Sequence, residues 1–188
     1  RRTWAYSRAD FAAVLSTLLV TLGAGVEAGL VTGVVVSLGL YLHRSSRPHM
    51  AEVGRVPGTE HYRNVQRHAV EVDDTVLGLR VDESLFFANA RALEDRINDA
   101  VASHPGLRHV VIQCSAINHI DASALESLEA IDRRLQQAGI ALHLSEVKGP
   151  VMDRLQRTDF LQHLSGRVFL THHQAAQALA SEPVPAPA

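Results

Sequence analysis

Hydrophobic and polar positions fall into two regimes along this chain. From Phe11 to Leu42, thirty-two residues run with Glu27 as the single charged side chain. As one straight helix at about 1.5 Å per residue this run would reach roughly 48 Å, well past the ~30 Å hydrocarbon core of a bilayer. Gly23, Gly25 and Glu27 interrupt it near the middle, where one lipid-facing helix would least accept them. The pattern therefore predicts a membrane hairpin over residues 1–43, with arms of about Ala9 to Leu22 and Val26 to His43. Arg1, Arg2 and Arg8 precede the run while Arg44 and Arg47 follow it, so both ends are expected on the cytoplasmic side. Each arm is short for a full crossing, which would leave the turn at membrane depth, covered by other protein. Gly29, Gly33, Ser37 and Gly39 form a small-residue face for another helix. The alternative is a lone signal-anchor helix, whereas the run is too long for the apolar region of a cleaved signal peptide. The chain starts with Arg1 rather than Met, which fits the C-terminal piece of a longer polypeptide.

Residues 44–67 are polar and broken by Pro48, Gly54, Pro57 and Gly58. They are expected to be a cytoplasmic connector with a short edge strand around Glu52 to Val56. From residue 68 to 180 strand and helix patterns alternate. AVEV and TVLGLRV, separated by Asp73 and Asp74, read as two strands joined by a tight turn. A helix follows with Leu93, Ile97, Ala100 and Val101 on one face and Asn89 as its cap, ended by Pro105 and Gly106. HVVIQC is too continuously apolar for a half-exposed strand. The next helix turns Leu125, Leu128, Ile131 and Leu135 inward and Glu126, Glu129, Arg133 and Arg134 outward, and Gly139 closes it. IALHLSEV is a strand, Pro150 suits the first turn of a short helix, and RVFL is a last strand. Thr171 and Gln174 have capping-box spacing before a final helix through Leu179. Residues 181–188 form a disordered tail. The fold class is α/β: a sheet with parallel pairings and amphipathic helices packed against it, behind a transmembrane hairpin.

Composition changes this picture little. The 188 residues leave about 140 for one soluble domain, enough for its own core. A net charge of −2 with mixed signs argues against a nucleic acid polymer as partner. The single Cys114, in VVIQC, allows no internal disulfide and reads as a packed strand thiol. Eleven histidines invite a metal, but no HExxH or Cys/His ligand spacing occurs, and His172 and His173 read as solvated. No Walker loop or nucleophile elbow is present, so neither an enzyme nor a cofactor is expected.

Two places carry candidate chemistry. In NHIDASALESLEAI a strand gives way to a helix, where Asp121 or Ser123 can cap and Ser123 with Glu126 has capping-box spacing. The free N–H groups there offer an anion or phosphoserine site, although ordinary capping is the stronger reading. Glu27 is a candidate intramembrane functional carboxylate, for proton coupling or helix pairing. As a first-turn residue it equally complements the helix dipole, and that structural role is the one expected.

VLGLRVDESLFFANARALEDRI, HVVIQCSAINHIDASALESLEAID, GIALHLSEVKGPVMDRLQRTDFL and VFLTHHQAAQAL resemble successive segments of a STAS domain. The upstream hairpin and connector resemble the last two membrane helices of the SulP sulfate-permease family of anion transporters. The likeness runs from Ser7 to Ala180. It implies a sheet of four to six strands on the cytoplasmic side of a multi-pass transporter in the cell membrane. The remaining membrane domain, the lipid bilayer and a second copy in a homodimer are the implied partners, with a cytosolic protein or nucleotide as effector of the STAS domain. In related anti-sigma-factor antagonists the loop reads Asp-Ser-Ser-Gly and its first serine is phosphorylated. Here Ala122 stands at that serine's place, between Asp121 and Ser123, which removes the phosphorylated position. The resemblance implies the C-terminal segment of a secondary anion transporter, for sulfate, bicarbonate or dicarboxylate-like ions, with the STAS domain regulating and assembling it. The alternative function is a membrane-tethered STAS protein that binds a partner or senses a nucleotide. No residue is assigned to substrate, since such sites lie between discontinuous helices outside this sequence.

Overall fold

The computed structural model describes residues 7–181. The expectations for Arg1, Arg2 and nearly all of the tail lie outside them. The chain divides into two compact units, residues 1–47 and 48–188.

The first unit is a helical hairpin. Helix α1 (Arg8–Ala24) starts at Ser7, whose hydroxyl accepts the Asp10 N–H at 3.2 Å. Helix α2 (Val26–Ser45) begins directly after Gly25, so one residue makes the turn. Gly25 has φ of +93°, a conformation that costs other residues but not glycine. The small-residue face has a partner inside the hairpin itself. A Cβ on Gly29 would overlap the Thr21 hydroxyl, and one on Gly33 would come 3.2 Å from that of Thr17. Thr17 and Thr21 donate back to the Ala13 and Thr17 carbonyls, so both of these hydroxyls are paired. Gly39, by contrast, faces open space. The arms are longer than their sequence suggests. With 20 residues, α2 spans about 30 Å, and among the described residues it is the helix long and apolar enough to cross a membrane. With 17 residues α1 spans about 26 Å.

The second unit is a six-stranded sheet in the order β2-β1-β3-β4-β5-β6. Strands β3 (Val76–Val81), β4 (His109–Gln113), β5 (Ala141–Ser145) and β6 (Val168–Phe169) run parallel. Strand β1 (Met50–Arg55) pairs antiparallel with both β3 and β2 (Tyr62–Asn64). Two expectations change here. The stretch read as connector supplies two strands, and β1 lies inside the sheet rather than at its edge. Conversely AVEV is no strand: Glu71 and Asp73 make isolated bridges to Arg55 and Val76. Asp73 instead closes a turn through the Thr75 N–H at 2.8 Å.

One face of the sheet carries α3 (Ala90–Ser103), α4 (Ala122–Gln137), α5 (Gly149–Leu155) and α6 (Phe160–His163). Their inward residues Leu93, Ile97, Leu128, Ile131, Val151, Leu155 and Phe160 close on Leu77, Leu79, Ile112, Leu142 and Leu144. The continuous apolar strands predicted this, because both faces of each central strand are covered. Val101 and Leu125 pack at the rim. The opposite face carries α7 (His172–Ala180), whose Ala175 and Leu179 sit on Val111. Gly139 ends α4 at φ of +75°, Pro150 lies in the first turn of α5, and the Thr171 hydroxyl accepts the Gln174 N–H at 3.1 Å.

Candidate functional site

The loops at the carboxyl ends of the parallel strands converge on the start of α4, where ligands of open α/β sheets commonly bind. The segment after β4 folds back through the Ile117 N–H to the Cys114 carbonyl. A parallel bridge between Leu85 and Ile120 then ties it to the loop after β3. Asp121, in extended conformation, caps α4: Oδ1 accepts the Ala124 N–H at 2.8 Å and Oδ2 the Phe87 N–H at 3.0 Å. One carboxylate thus satisfies a helix terminus and anchors a neighbouring loop. Ser123 does not cap. It sits exposed inside the first turn, where its carbonyl receives the Ser127 hydroxyl. The capping alternatives of the sequence resolve to Asp121, because it is the residue in extended conformation before the first turn, from which a side chain accepts the Ala124 N–H.

Asn89 also differs from expectation. It precedes α3 and is fully buried, yet its side chain accepts the Phe86 N–H and donates to the Ser84 carbonyl rather than capping the helix. The result is a stiff loop that holds Phe87 outward, 68% exposed. Sequence reasoning did not single out Phe87, since nothing in LFFANA distinguishes the two phenylalanines. Beside it the Lys148 ammonium donates to Asn118 at 2.6 Å, and the Asn118 N–H donates to the Ser84 hydroxyl.

A second polar cluster lies on the α7 face. His172 is buried, not solvated, and its Nδ1 lies 2.9 Å from the Ser145 hydroxyl. A Cβ at Gly78 would come within 2.6 Å of His172 Nε2, so the ring occupies the space a side chain would take. Burial pushes this imidazole down to about 4, against the opposing charge of Glu146. Glu146 itself has φ of +56°, and its carboxylate accepts the Gln113 amide at 2.9 Å and the His172 backbone N–H at 3.3 Å. His143, on β5, accepts the Arg167 N–H through Nδ1 and faces His109 across 3.2 Å. Burial, reinforced by His109 and Arg167, pushes it down to about 4. Cys114 is buried and, chiefly through burial, pushed up to about 12, so it is a packed thiol rather than a nucleophile. Between α7 and β1 a cavity of about 360 Å³ is lined by Arg55, Tyr62, Glu71, Asp73 and His173. Arg55 is paired with Glu71 at 2.6 Å. Among the described residues no three His, Cys, Asp or Glu side chains gather as a metal set.

Where the connector enters the domain, His49 Nδ1 lies 2.7 Å from Asp82, which also accepts Arg80 at 2.6 Å. Burial raises the Asp82 carboxyl, but the hydrogen bonds from Arg80 and His49 outweigh it and hold it below the usual carboxylate range. In the hairpin, Glu27 is exposed in the first turn of α2, where no side chain caps the helix. Glu27 belongs to the first unit, Asp121 and Ser123 to the second.

The model of the STAS domain family matches residues 67–175. Probable sulfate transporter 4.2 of Arabidopsis thaliana is 30% identical over 187 residues, covering 93% of this chain and 28% of the relative. High affinity sulfate transporter 2 of Stylosanthes hamata is 28% identical over 180 residues, covering 89% and 27%. The chain thus spans less than a third of these relatives' length. The murine solute carrier 26 family member A9 anion transporter, in its inward-facing state, matches with a TM-score of 0.84 at 15% identity, over 95% of this chain and 30% of that one. An anti-sigma factor antagonist of Thermotoga maritima matches with a TM-score of 0.51 at 19% identity, over 57% of this chain and 89% of that one.

Proposed function

We propose, on the premise that this chain belongs to the STAS domain family and is similar to the C-terminal part of SulP anion transporters, that it completes a secondary active inorganic-anion transporter. In this reading the hairpin joins the remaining membrane domain of a multi-pass protein in the cell membrane. The STAS domain is its cytoplasmic regulatory and assembly module, working within a homodimer. The observation that carries the reading is the reach of the similarity: the sulfate transporters match 93% of the chain, through the hairpin as well as the domain. A sulfate-like anion is the substrate class, moved by the helices of the larger membrane body rather than by the hairpin. The module acts by binding, not by catalysis, with a cytosolic protein or a nucleotide as effector. Asp121 holds the α4 loop in place and Ser123 with Phe87 presents it. Glu27 is assigned a structural role at the helix start.

The direct test is uptake of radiolabelled sulfate by the full-length gene in a transport-deficient host, with and without residues 48–188. Loss of uptake, or of membrane assembly, on deletion is expected, whereas a full-length product that moves no inorganic anion would refute the reading. One observation favours a second reading, a membrane-tethered module without transport: the domain's fold alone matches an anti-sigma factor antagonist. The reading frame upstream of Arg1 separates the two, since ten or more further apolar segments belong to a transporter and an initiator Met beside Arg1 to a tethered module.

A further inference from the structure

The open end of the hairpin holds charges of both signs that no strong bond joins. The Arg44 guanidinium and the Asp10 carboxylate stand 3.5 Å apart, with 73% and 43% of their side chains exposed. That separation exceeds the 2.7–2.9 Å of a strong charge-assisted bond, so each retains capacity for another partner. Between α1 and α2 at this level a cavity of about 280 Å³ is lined by Asp10, Val14, Ser37, Leu40, Tyr41 and Arg44. Its lining combines the apolar Val14 and Leu40 with the charged Asp10 and Arg44. Tyr41 is 65% exposed beside it, as aromatic residues are where a helix passes the headgroup level.

We propose that this notch binds the headgroup of an aminophospholipid of the phosphatidylethanolamine class. The inference rests on the membrane placement of the hairpin under the proposed function. Such a headgroup carries a phosphate and a primary ammonium two methylenes apart. Arg44 meets the phosphate and Asp10 accepts from the ammonium, while Val14 and Leu40 receive the start of the acyl chains. An anionic headgroup without an amine satisfies Arg44 but meets the Asp10 charge, and a choline headgroup has no N–H to donate. The lipid thereby clamps the two arms at the end opposite the Gly25 turn.

The test uses the full chain reconstituted in nanodiscs of equal parts dioleoyl phosphatidylethanolamine, phosphatidylcholine and phosphatidylglycerol. Lipid retained after mild delipidation is read by native mass spectrometry. The ethanolamine lipid is expected to be retained over both others. Asp10→Asn should lower its retention about fivefold, the scale of one exposed charge contact, without weakening the glycerol lipid. Asp10→Glu should restore it, and Arg44→Gln should lose both lipids. Equal retention of the three lipids, or an Asp10→Asn chain that keeps the ethanolamine lipid, overturns the site while leaving the transporter reading intact. A chain that alkaline washing strips from native membranes overturns both.

Discussion

His143 accepts the Arg167 backbone N–H through its Nδ1, at 3.0 Å. A backbone amide only donates, so the neutral ring must carry its proton on Nε2, where it points to His109. Protonating His143 would turn Nδ1 into a donor against a donor.

Stability should therefore depend on pH in a definite direction. Burial holds His143 and His172 near 4 in the folded chain, below the ordinary imidazole value of 6.5. The unfolded chain then binds more protons between these limits, so stability is fully present above about 6.5 and lost as pH falls toward 4. Thermal unfolding of the detergent-solubilised chain should show a melting temperature that declines through this window. Replacing His143 with Gln should shallow the decline, and an unchanged slope would count against His143 as its source.

Asp121 and Ser123 should separate cleanly. Asp121→Ala removes a helix cap and the Phe87 anchor together, and should cost about 1–2 kcal/mol in denaturant unfolding. Ser123→Ala should stay within about 0.5 kcal/mol, since its side chain is exposed and does not cap. A Ser123→Ala loss as large as that of Asp121→Ala would mean the cap is misassigned.

Gly29 and Gly39 offer a matched pair in one helix. Gly29→Leu should force the arms apart at Thr21, whereas Gly39→Leu should be tolerated, because its Cβ position is open. Disulfide formation between cysteines placed at Thr17 and Gly33 reads the seam directly. It should survive Gly39→Leu and fail with Gly29→Leu.

Glu27→Gln in the full-length protein should leave anion uptake and its pH dependence largely intact. Glu27 lies in the first turn of α2, a helix of about 30 Å, and under the proposed membrane placement its carboxylate stands near one end of the span, where it is far less costly than at mid-depth. Abolition of a pH-dependent component of uptake would make it a coupling residue instead.

The alternation of β4, α4, β5 and α7 was legible because each element carries a periodic pattern with a cap or a stop. Strand β1 was legible only as a short edge strand around Glu52 to Val56, and β2 not at all: MAEVGR and YRN are short runs broken by charge, and they pair through backbone bonds that sequence does not display. The same holds for buried polar groups. His143 interrupts IALHLS as a solvated residue would, yet its partners come from elements 24 and 34 positions away. Asp132 was not singled out in the sequence, yet it is buried, accepting both the N–H and the hydroxyl of Ser165. In the hairpin, glycine spacing revealed a close-packed face but not that the other arm fills it.

The sheet is roofed unequally, by four helices on one side and by α7 on the other. During synthesis the four-helix side can close as soon as α6 has left the ribosome. Val111, Gly78 and Ser145 stay bare until His172 and the turns behind it follow. A ribosome that stalls before residue 172 therefore leaves a nascent domain with a sticky, half-finished surface, a ready target for chaperones and proteases.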